Sequence, residues 1–449
     1  MKFTIKNVGP IKTATVEMGK LTVVCGKNNT GKTFLTRSVY EFYRTFRNNL
    51  SFSVELEQQT FPLDIDLSQY TEKAASAIKE CAKKYSKAIL ENGGELRVSI
   101  KPSEFPVFCD APPSQWGMGN RLFKVNKEGC ILHIEEKIIP IDSTKDNNRK
   151  DEKDEFDFQS LISAIIKHYL FEQKYNDCFI ADSFCVMSER VGFVHFKTHI
   201  NIANAFVANQ PKNDNAPINI KSEEEQLSNR KLLPLSLSII HSLSIFEREK
   251  MFEDRKQTDY QKQFNALLDS VVEGKYELNE GQFFFTPNDA NNNALSMDRS
   301  SSSVESLLLM DYYVRYFSEK GDVLVIDEPE LNLHPEKQRQ LAHLLGALVN
   351  AGIKVFITTH SDYIIRELNL MIQLKQDKKH FKAIRKEEGY LDSYLLDADD
   401  VKAYTSKKDN GSVTFKNVKV CQKKGMVIST LDEVINKMNT IQEAISWGE

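Results

Sequence analysis

Apolar and polar positions alternate at the start of the chain. Over residues 3–24 the alternation runs around turn signals at residues 7–10 and 17–20, which predicts two or three antiparallel strands. These strands lead into the P-loop strand, which the short, largely β-branched run Leu21-Thr22-Val23-Val24 predicts. Residues 34–46 then change to helical spacing, so the chain opens with a strand, a glycine-containing turn and a helix.

The middle of the chain follows a different pattern. Short strand-like stretches at residues 95–100 and 130–141 lie around a predicted helix over residues 69–91, and we interpret this part as an insertion rather than as more of the first sheet. Residues 143–157 are dense in charge and almost without apolar side chains. They predict a solvated, mobile loop.

Helical spacing dominates the next stretch. It predicts a helix over residues 158–174, and the apolar run at residues 178–187 follows it. Leu, Ile and Phe recur at heptad-like spacing over residues 232–272, with a break near residues 253–258. The pattern predicts a helical pair that forms a short arm, since it is not sustained long enough for a long coiled coil.

Two continuous apolar runs in the second half are typical of buried parallel strands. The run Val323-Leu324-Val325-Ile326 ends in two acids, and residues 354–359 end at a histidine. A serine cluster at residues 300–303 opens an apolar helix that reaches about residue 317. These elements predict an α/β fold with a mixed sheet flanked by helices, and residues 429–445 predict a last helix that docks on the main domain or on a partner.

Length and charge narrow the class of protein. The chain has 449 residues, which suggests two or three domains or one domain with large insertions, and its formal net charge is −4, which excludes a globally basic coat for nucleic acid. Residues 375–386 and 416–424 are locally basic. They face nucleic acid, face an acidic partner or are simply solvated, and the sequence leaves these alternatives open.

The expected compartment is the cytoplasm. The chain starts without a signal-like segment and contains no apolar run long enough for a membrane span, so no membrane partner is expected. Its seven cysteines are scattered and contain no C-x-x-C pair. This spacing is typical of packing residues in a reducing environment.

One octapeptide carries the strongest chemical signal. Residues 26–33 read G-K-N-N-T-G-K-T and fit the P-loop pattern G-x-x-x-x-G-K-[ST]. Backbone N–H groups and the helix N-terminus would bind phosphate oxygens, Lys32 would add a point charge near the β and γ phosphates, and the Thr33 hydroxyl would ligand Mg²⁺. The alternative is a chance glycine-rich turn. The predicted nucleotide contacts are Gly26, Lys27, Asn28, Asn29, Thr30, Gly31, Lys32, Thr33 and Phe34.

The acids after residue 326 predict the second half of an ATP site. Asp327 and Glu328 end a buried strand at the edge where open α/β sheets bind ligands. Asp327 would hold Mg²⁺ directly or through its water, and Glu328 would orient or deprotonate the attacking water. The alternative is that both acids only cap a strand. His360 would sense the γ-phosphate, although a lone histidine is more often structural.

The serine cluster predicts an anion site. A helix N-terminus with free N–H groups and the hydroxyls of Ser301, Ser302 and Ser303 is suited to phosphate. Its alternative is an ordinary helix cap with extra loop serines. The presence of the other motifs favours the anion site.

Together these motifs resemble a known family. The P-loop, the serine loop with its helix, the run V-L-V-I-D-E-P-E-L-N-L-H-P and the run T-T-H-S-D-Y, in this order and spacing, resemble the ABC-type ATPase heads of the RecF, SMC and OLD group. The resemblance is closest to stand-alone OLD-like AAA ATPases of bacterial anti-phage systems, of the AriA-like kind in PARIS or the PtuA-like kind in Septu. The run S-E-R-V-G at residues 188–192 is similar to a strand-end motif of the same group.

The resemblance implies roles for individual residues. It implies that Lys32, Thr33 and Asp327 hold phosphate and Mg²⁺, that Glu328 activates water and that His360 senses the γ-phosphate. It also implies that residues 301–303 complete the ATP site of a second copy in a head-to-tail dimer or higher homo-oligomer, although serine stands throughout where such heads carry Ser-Gly-Gly. Leu331-Asn332-Leu333-His334-Pro335 would contact that copy.

Three functions follow from the resemblance. The leading hypothesis is an ATPase, with ATP and Mg²⁺ as cofactors, that controls a separate effector nuclease of TOPRIM or HNH type in anti-phage defence and responds to a phage trigger protein. The first alternative is a RecF-like repair ATPase that acts directly on DNA. The second is a scaffold or phage-protein sensor that ATP locks with negligible turnover.

The chain itself is not expected to be a nuclease. Asp397 and Asp399 have the D-x-D spacing of a TOPRIM metal site, but no glycine-rich turn with a glutamate precedes them, so a solvated acidic turn is favoured. His195 and His199 have no acids nearby and are interpreted as structural. The expected organisation is a head lobe at residues 1–50, an insertion at 51–177, a head strand and connection at 178–231, an arm at 232–290, the second head part at 291–370 and a C-terminal segment for partner docking or head completion at 371–449.

Overall fold

The computed structural model describes most of the predicted head and part of the predicted insertion. The predicted loop at residues 143–157, the histidine pair His195 and His199, and the predicted arm over residues 232–255 lie outside the described residues. The described residues are 1–56, 60–90, 93–105, 113–118, 121–138, 158–172, 183–191, 256–279, 282–288, 293–409 and 411–446.

The described strands form four sheets. A nine-stranded mixed sheet lies at the centre of the described chain, and sheets of four, three and two strands accompany it. The strands are β1 (Lys2–Val8), β2 (Ile11–Glu17), β3 (Leu21–Cys25), β4 (Leu63–Asp66), β5 (Glu95–Ser99), β6 (Ser114–Met118), β7 (Arg121–Glu128), β8 (Ile131–Ile138), β9 (Ser183–Val186), β10 (Gly274–Asn279), β11 (Gln282–Pro287), β12 (Leu295–Ser296), β13 (Val323–Asp327), β14 (Lys354–Thr359), β15 (Val401–Asp409), β16 (Ser412–Val418), β17 (Val420–Cys421) and β18 (Gly425–Met426).

Helices cover both faces of the central sheet. Two helices, Phe158–Lys167 and Ser302–Tyr312, continue into π-helical turns at His168–Glu172 and Tyr313–Phe317. The helices are α1 (Lys32–Asn49), α2 (Thr71–Ile89), α3 (Phe158–Lys167), α4 (Asp259–Lys262), α5 (Asn265–Val272), α6 (Ser302–Tyr312), α7 (Pro335–Asn350), α8 (Asp362–Leu374), α9 (Lys379–Glu388) and α10 (Ser429–Ser446).

The central sheet has a parallel half and a largely antiparallel half. Its order is β5-β1-β2-β16-β15-β3-β14-β13-β9. From β15 to β9 neighbouring strands run parallel, so β3, β13 and β14 end at the same edge of the sheet. All residues of β3 and β13 are buried, as expected for parallel strands covered on both faces.

Successive side chains of the parallel strands pack into two different apolar cores. In β13, Val323 and Val325 join the core on the α1 side, whereas Leu324 and Ile326 join the core that contains α5, α6, α7 and α8. This alternation follows from the period of two in a strand. The predicted α/β fold, a mixed sheet flanked by helices, is confirmed by this layered arrangement.

The insertion is built differently from its prediction in one respect. Strands β4, β8, β7 and β6 form their own antiparallel sheet, but β5 does not belong to it. Instead β5 pairs with β1, with Val98 opposite Phe3 and Leu96 opposite Ile5. These four side chains lie in the same apolar core, so burial of the Leu96 and Val98 face draws the strand to the edge of the main sheet.

Two chain segments after the second head part also join the central sheet. Strand β15 lies parallel to β3, and β16 pairs with β15 and β2. Asp397 and Asp399 lie in or beside the short 3-10 turn Ala398–Asp400. In the described part of the chain the cysteines are free thiols, and no helix there is long and apolar enough to cross a membrane.

Candidate nucleotide-binding site

The P-loop connects β3 to α1 in the order that the sequence predicts. Gly31 caps the helix with φ 75°, and Gly26 follows the strand with φ 153°. Both positions need glycine because a Cβ atom at Gly31 would lie 2.8 Å from Ile11 Cγ1, and one at Gly26 would lie 1.8 Å from Ser406 Oγ. The loop therefore depends on close packing against β2 and β15.

Lys32 lies inside this loop. Its side chain is buried, and Nζ donates to the carbonyl oxygens of Gly26 and Lys27, each at 3.0 Å. Within the part of the chain that the structure describes, Lys32 forms no ion pair with a carboxylate. A buried ammonium held only by loop carbonyls suits an anionic group such as a phosphate.

The remaining P-loop residues have different exposures. Lys27, Asn28 and Asn29 are exposed, whereas Thr30 is buried and its hydroxyl donates to the Lys27 carbonyl at 2.7 Å. Phe34 is 43% exposed, and its ring lies where a Cβ atom at Gly9 would stand. The loop thus presents its polar tip outward and leaves one aromatic ring at its side.

Thr33 and Asp327 meet across the sheet edge. Thr33 Oγ1 donates to Asp327 Oδ2 at 2.7 Å, and Thr358 Oγ1 donates to Asp327 Oδ1. Asp327 is fully buried at the end of β13. The hydroxyl and the carboxylate are hard oxygen ligands of the kind that Mg²⁺ prefers, and this pair fits such an ion.

Among the described residues no cluster of three or more His, Cys, Asp or Glu side chains could hold a metal ion. This is consistent with the way Mg²⁺ is usually bound, with few protein ligands and with waters and substrate phosphates in the other positions. Thr33 and Asp327 alone would then be the protein's direct contribution.

Glu328 adopts an uncommon backbone conformation. Its φ is 53°, in the left-handed region that a residue with a side chain rarely occupies. Its N–H donates to the Thr358 carbonyl at 3.0 Å, and its own carbonyl accepts from Arg190 Nη2 at 2.8 Å. The backbone is therefore held from both sides at the position expected to act on water.

His360 lies between two carboxylates. Its Nδ1 is 3.6 Å from Glu328 Oε1 and 3.3 Å from Glu330 Oε1. The contact with His360 lowers the pKa of Glu328, and the contact with Glu328, followed by the charge of Glu330, raises the pKa of His360. Both shifts favour a charged carboxylate facing an imidazolium.

Glu330 is the buried partner in this group. Its Oε1 accepts from the backbone N–H of His360 and from the Thr359 hydroxyl, each at 2.8 Å. Its Oε2 is buried without a hydrogen-bond partner among the described residues, and burial raises the pKa of Glu330. Glu330 thus fixes the turn that carries His360.

The serine cluster lies at the start of α6. Ser301 caps the helix and accepts from the Val304 N–H at 3.4 Å, and the Ser301 and Ser303 hydroxyls lie 2.8 Å apart. Ser301 and Ser302 are exposed. The helix cap that the sequence left open as an alternative is therefore present, and it leaves the Ser302 side chain free to face outward.

The loop after Asp327 and Glu328 forms a tight turn. Asn332 has φ 61°, and His334 caps α7 with Pro335 in the first helical turn. Leu333 is buried, whereas Asn332 is exposed. The turn therefore offers a polar tip beside the site.

Four further residues support the site, and the sequence did not assign them a role. Thr358 and Glu330 stand inside the quoted motifs, so the strand end and the run of acids were the available signals. Arg190 stands in the quoted strand-end motif, but its contacts are not local in sequence. Ser406 donates to the Thr30 hydroxyl at 2.8 Å across 376 positions of the chain, and no local pattern reveals it.

Comparison with known proteins agrees with this arrangement. Residues 1–365 match the family model described as AAA ATPase domain. No curated protein matches the sequence. The match to the family model covers the P-loop, the acids at the end of β13 and His360.

Three solved structures are similar to this chain at low sequence identity. A structure titled "SMC head domain from Thermotoga maritima" has 9% identity and a TM-score of 0.32, covering 93% of this chain and 98% of that chain. An SmcHead bound to the C-winged helix domain of ScpA has 9% identity and a TM-score of 0.36, covering 93% and 97%. An Smc head domain with an extended coiled coil, bound to the C-terminal domain of ScpA derived from Pyrococcus furiosus, has 11% identity and a TM-score of 0.32, covering 98% of each chain.

The range that matches the family model includes the segments that form the candidate site. The family model covers the P-loop near its start and His360 near its end. The structure brings these two segments together at one edge of the sheet. The chain belongs to the AAA ATPase domain family.

Proposed function

We propose that this AAA-type ATPase binds Mg²⁺ and ATP on the P-loop and hydrolyses ATP with Glu328 as general base. The observation that supports this best is the meeting of two distant segments at one edge of the sheet. Thr33 Oγ1 lies 2.7 Å from Asp327 Oδ2, and Glu328 is the next residue in the chain. Such a pairing of hydroxyl, carboxylate and adjacent glutamate suits metal-assisted transfer of a phosphoryl group to water.

Lys32, Thr33 and Asp327 would hold the nucleotide and its metal. The Lys32 ammonium is oriented by two loop carbonyls, and the loop N–H groups at the start of α1 add the positive end of the helix. When bound, Mg²⁺ neutralises charge that develops on the phosphate oxygens. Thr33 and Asp327 already contact each other, so little rearrangement is needed to present two oxygen ligands.

Glu328 would accept the proton of the attacking water. Contact with His360 lowers the pKa of Glu328, which favours the charged carboxylate that can accept a proton and at the same time makes it a weaker base. The imidazolium of His360 orients this carboxylate, and Glu330 holds the turn that carries His360. His360 and Lys32 are close enough for their charges to interact, so together they place positive charge beside the P-loop.

The serine loop would act on a second copy of the chain. Ser301 and Ser302 are exposed at a helix N-terminus, and the Ser301 hydroxyl bonds within its own turn. A head-to-tail dimer or higher homo-oligomer would place this loop against the nucleotide of the other copy. Each site would then need Lys32, Asp327 and Glu328 from one copy and the serines from the other.

We further propose that the ATP cycle controls a separate effector nuclease of TOPRIM or HNH type in anti-phage defence, with a phage protein as trigger. The support is the motif order in the sequence, which resembles stand-alone OLD-like ATPases of such systems. The expected compartment is the cytoplasm. The site itself is compatible with other uses of the same ATPase.

One observation favours direct action on DNA as a second candidate. The hairpin of β15 and β16 and the residue after it expose Lys407, Lys408, Lys416 and Lys419. A cluster of exposed lysines on one hairpin suits a phosphate backbone. A RecF-like enzyme would use it to bind DNA and would hydrolyse ATP faster in its presence.

Turnover of purified protein, with and without DNA and over a range of protein concentrations, separates these functions. A dimer-dependent ATPase shows turnover per chain that rises with protein concentration and does not respond to DNA. Stimulation by DNA that falls steeply with salt supports the RecF-like alternative. Negligible turnover at every concentration, with retained ATP binding, supports the ATP-locked scaffold and contradicts our proposal.

A further inference from the structure

Arg190 joins three elements around the candidate site. It follows β9 and is 3% exposed. Its guanidinium donates to four backbone carbonyls and, in these contacts, to no carboxylate. The acceptors are Ser306 O at 2.8 Å from Nε, Met187 O and Asp327 O at 3.0 Å each from Nη1, and Glu328 O at 2.8 Å from Nη2.

The guanidinium stays charged despite its burial. Burial lowers the pKa of Arg190 to about 10, and the nearby carboxylates of Glu330, Asp327 and Glu328 act against that decrease. A charge buried in this way is costly unless its donors are satisfied. Four carbonyls in fixed positions satisfy most of its five donors, which makes the geometry of this contact stringent.

The four carbonyls belong to segments with different tasks. Asp327 and Glu328 end β13, and Glu328 has the left-handed backbone described above. Ser306 belongs to the early part of α6, and its hydroxyl donates to Ser303 O at 2.9 Å. A single side chain therefore connects the turn of the serine cluster to the backbone of the proposed general base.

We propose that Arg190 is a positioning residue that couples the serine-rich start of α6 to the conformation of Glu328. A ligand or second copy that holds Ser301, Ser302 or Ser303 shifts the start of α6. The Ser306 carbonyl moves with it, and Arg190 transmits that movement to the carbonyl of Glu328. This inference rests on the proposed function, because it assigns a regulator to the same site.

The coupling gives the exposed serine loop a use within its own copy. When the nucleotide of the other copy binds that loop, the backbone conformation of Glu328 would change in the copy that carries the loop. In a dimer, nucleotide bound at one ATP site would then affect Glu328 at the other site through Arg190. Two hydrogen bonds, to the Thr358 carbonyl and from Arg190, hold the left-handed backbone of Glu328, so the coupling needs no large movement.

The test compares Arg190→Lys with Arg315→Lys. The Arg190→Lys side chain keeps the charge but concentrates its donors on one atom, so it cannot reach all four carbonyls. Arg315 is the matched control because it is an arginine in the π-helical turn that continues α6, where it binds Asp311, Asp269 and Asn265 away from the site. Both variants are measured as full-length protein for turnover, for affinity towards a fluorescent ATP analogue and for amide hydrogen exchange.

We expect Arg190→Lys to lower kcat by about 10²-fold, since displacement of a catalytic group by about 1 Å costs a factor of that size. Analogue affinity should change by less than about threefold, because the Lys32 loop is untouched. Exchange should become faster together at residues 302–306 and 328–331, and Arg315→Lys should leave both segments near wild type. Unchanged kcat in Arg190→Lys, or faster exchange at one segment alone, overturns the proposal.

A variant on the other side of the contact covers the case in which Arg190→Lys does not fold. Ser302→Tyr changes an exposed position of the serine cluster and leaves Arg190 intact. With the non-hydrolysable analogue bound, wild-type protein should exchange more slowly at residues 328–331, and Ser302→Tyr should lose that slowing. Equal slowing in both proteins contradicts the coupling.

Different results would contradict the coupling and the catalytic role of Glu328. Hydrogen exchange in a Glu328→Gln background reads the coupling without turnover. If Glu328→Gln hydrolyses ATP at the wild-type rate, the proposed function is wrong whatever exchange shows. If Glu328→Gln is inactive and Arg190→Lys leaves exchange unchanged in that background, only the coupling is wrong.

Discussion

The edge of the sheet that carries Asp327 and the helix start that carries the serines differ in how they satisfy their polar groups. At the edge, Asp327 is fully buried and each of its carboxylate oxygens accepts from a threonine hydroxyl. At the start of α6, Ser301 and Ser302 are exposed, and the Ser301 hydroxyl bonds within its own turn. One region is prearranged within a single chain, whereas the other presents its hydroxyls outward.

Glu328→Gln is the variant of the prearranged region for which we expect the largest loss of activity. We expect kcat to fall by about 10³-fold or more while nucleotide remains bound, because the amide cannot accept a proton from water. A steady-state ATPase assay combined with a nucleotide-retention assay measures both quantities. Glu443→Gln on the exposed face of α10 is the control, and turnover near wild type in Glu328→Gln would sink the assignment of the general base.

Lys32→Ala should act on binding. Loss of the ammonium removes the charge from the loop, so affinity for ATP should fall by about 10²-fold, a loss typical of removing a charged contact to phosphate. Titration with a fluorescent ATP analogue measures the change. Lys27→Ala removes an exposed side chain and keeps the backbone through which Lys27 would contact the nucleotide, so affinity should stay within about threefold. An equal loss in both variants would show that general charge rather than the Lys32 position matters.

The outward region is tested by separating its cap from its exposed hydroxyl. Ser301→Ala removes the N-cap of α6 and should lower the free energy of unfolding by about 1 kcal/mol, whereas Ser302→Ala should leave it nearly unchanged. Urea denaturation measures both. If the serines complete a second copy's site, Ser302→Ala should still lower turnover at high protein concentration, and wild-type turnover in this variant contradicts that role.

The smallest expected effect is a pH dependence of stability at His360. Contact with Glu328 and the charge of Glu330 raise the pKa of His360 above its usual 6.5. A raised histidine pKa adds stability that is fully present below the unfolded value and is lost as pH rises through the folded value. The difference in unfolding free energy between wild type and His360→Gln should therefore be largest below about pH 6 and should shrink above neutral pH, whereas a constant difference from pH 5 to 9 would show that the ion pair adds nothing.

Sequence alone predicted the elements whose chemistry is local. The P-loop at residues 26–33 and the acids after β13 were placed correctly because a glycine turn, a helix start and a buried apolar run each depend on neighbouring residues. The helix cap at Ser301 is local in the same way. Their functional roles remain predictions, since the structure places these residues without testing what they do.

The rest depends on contacts between distant parts of the chain. Strand β5 was assigned to the insertion, yet it extends the main sheet because its apolar face continues that of β1. Arg190 was noted only as part of a strand-end motif, because its four acceptors are backbone carbonyls that carry no side-chain pattern. Ser406 and Gly26 approach each other only once β15 lies beside β3, and no spacing in the sequence signals that approach.

The position of β15 between β3 and β16 has a consequence for biosynthesis. During synthesis, β3, which precedes the P-loop, cannot pair with β15 until almost four hundred further residues have been added to the chain. Pairing at such sequence separation is slow, because a long loop must close before the contact forms. Gly26 and Thr30 therefore reach their final packing against Ser406 late in translation, so a ribosome-bound chain would remain without a finished phosphate loop until β15 has emerged.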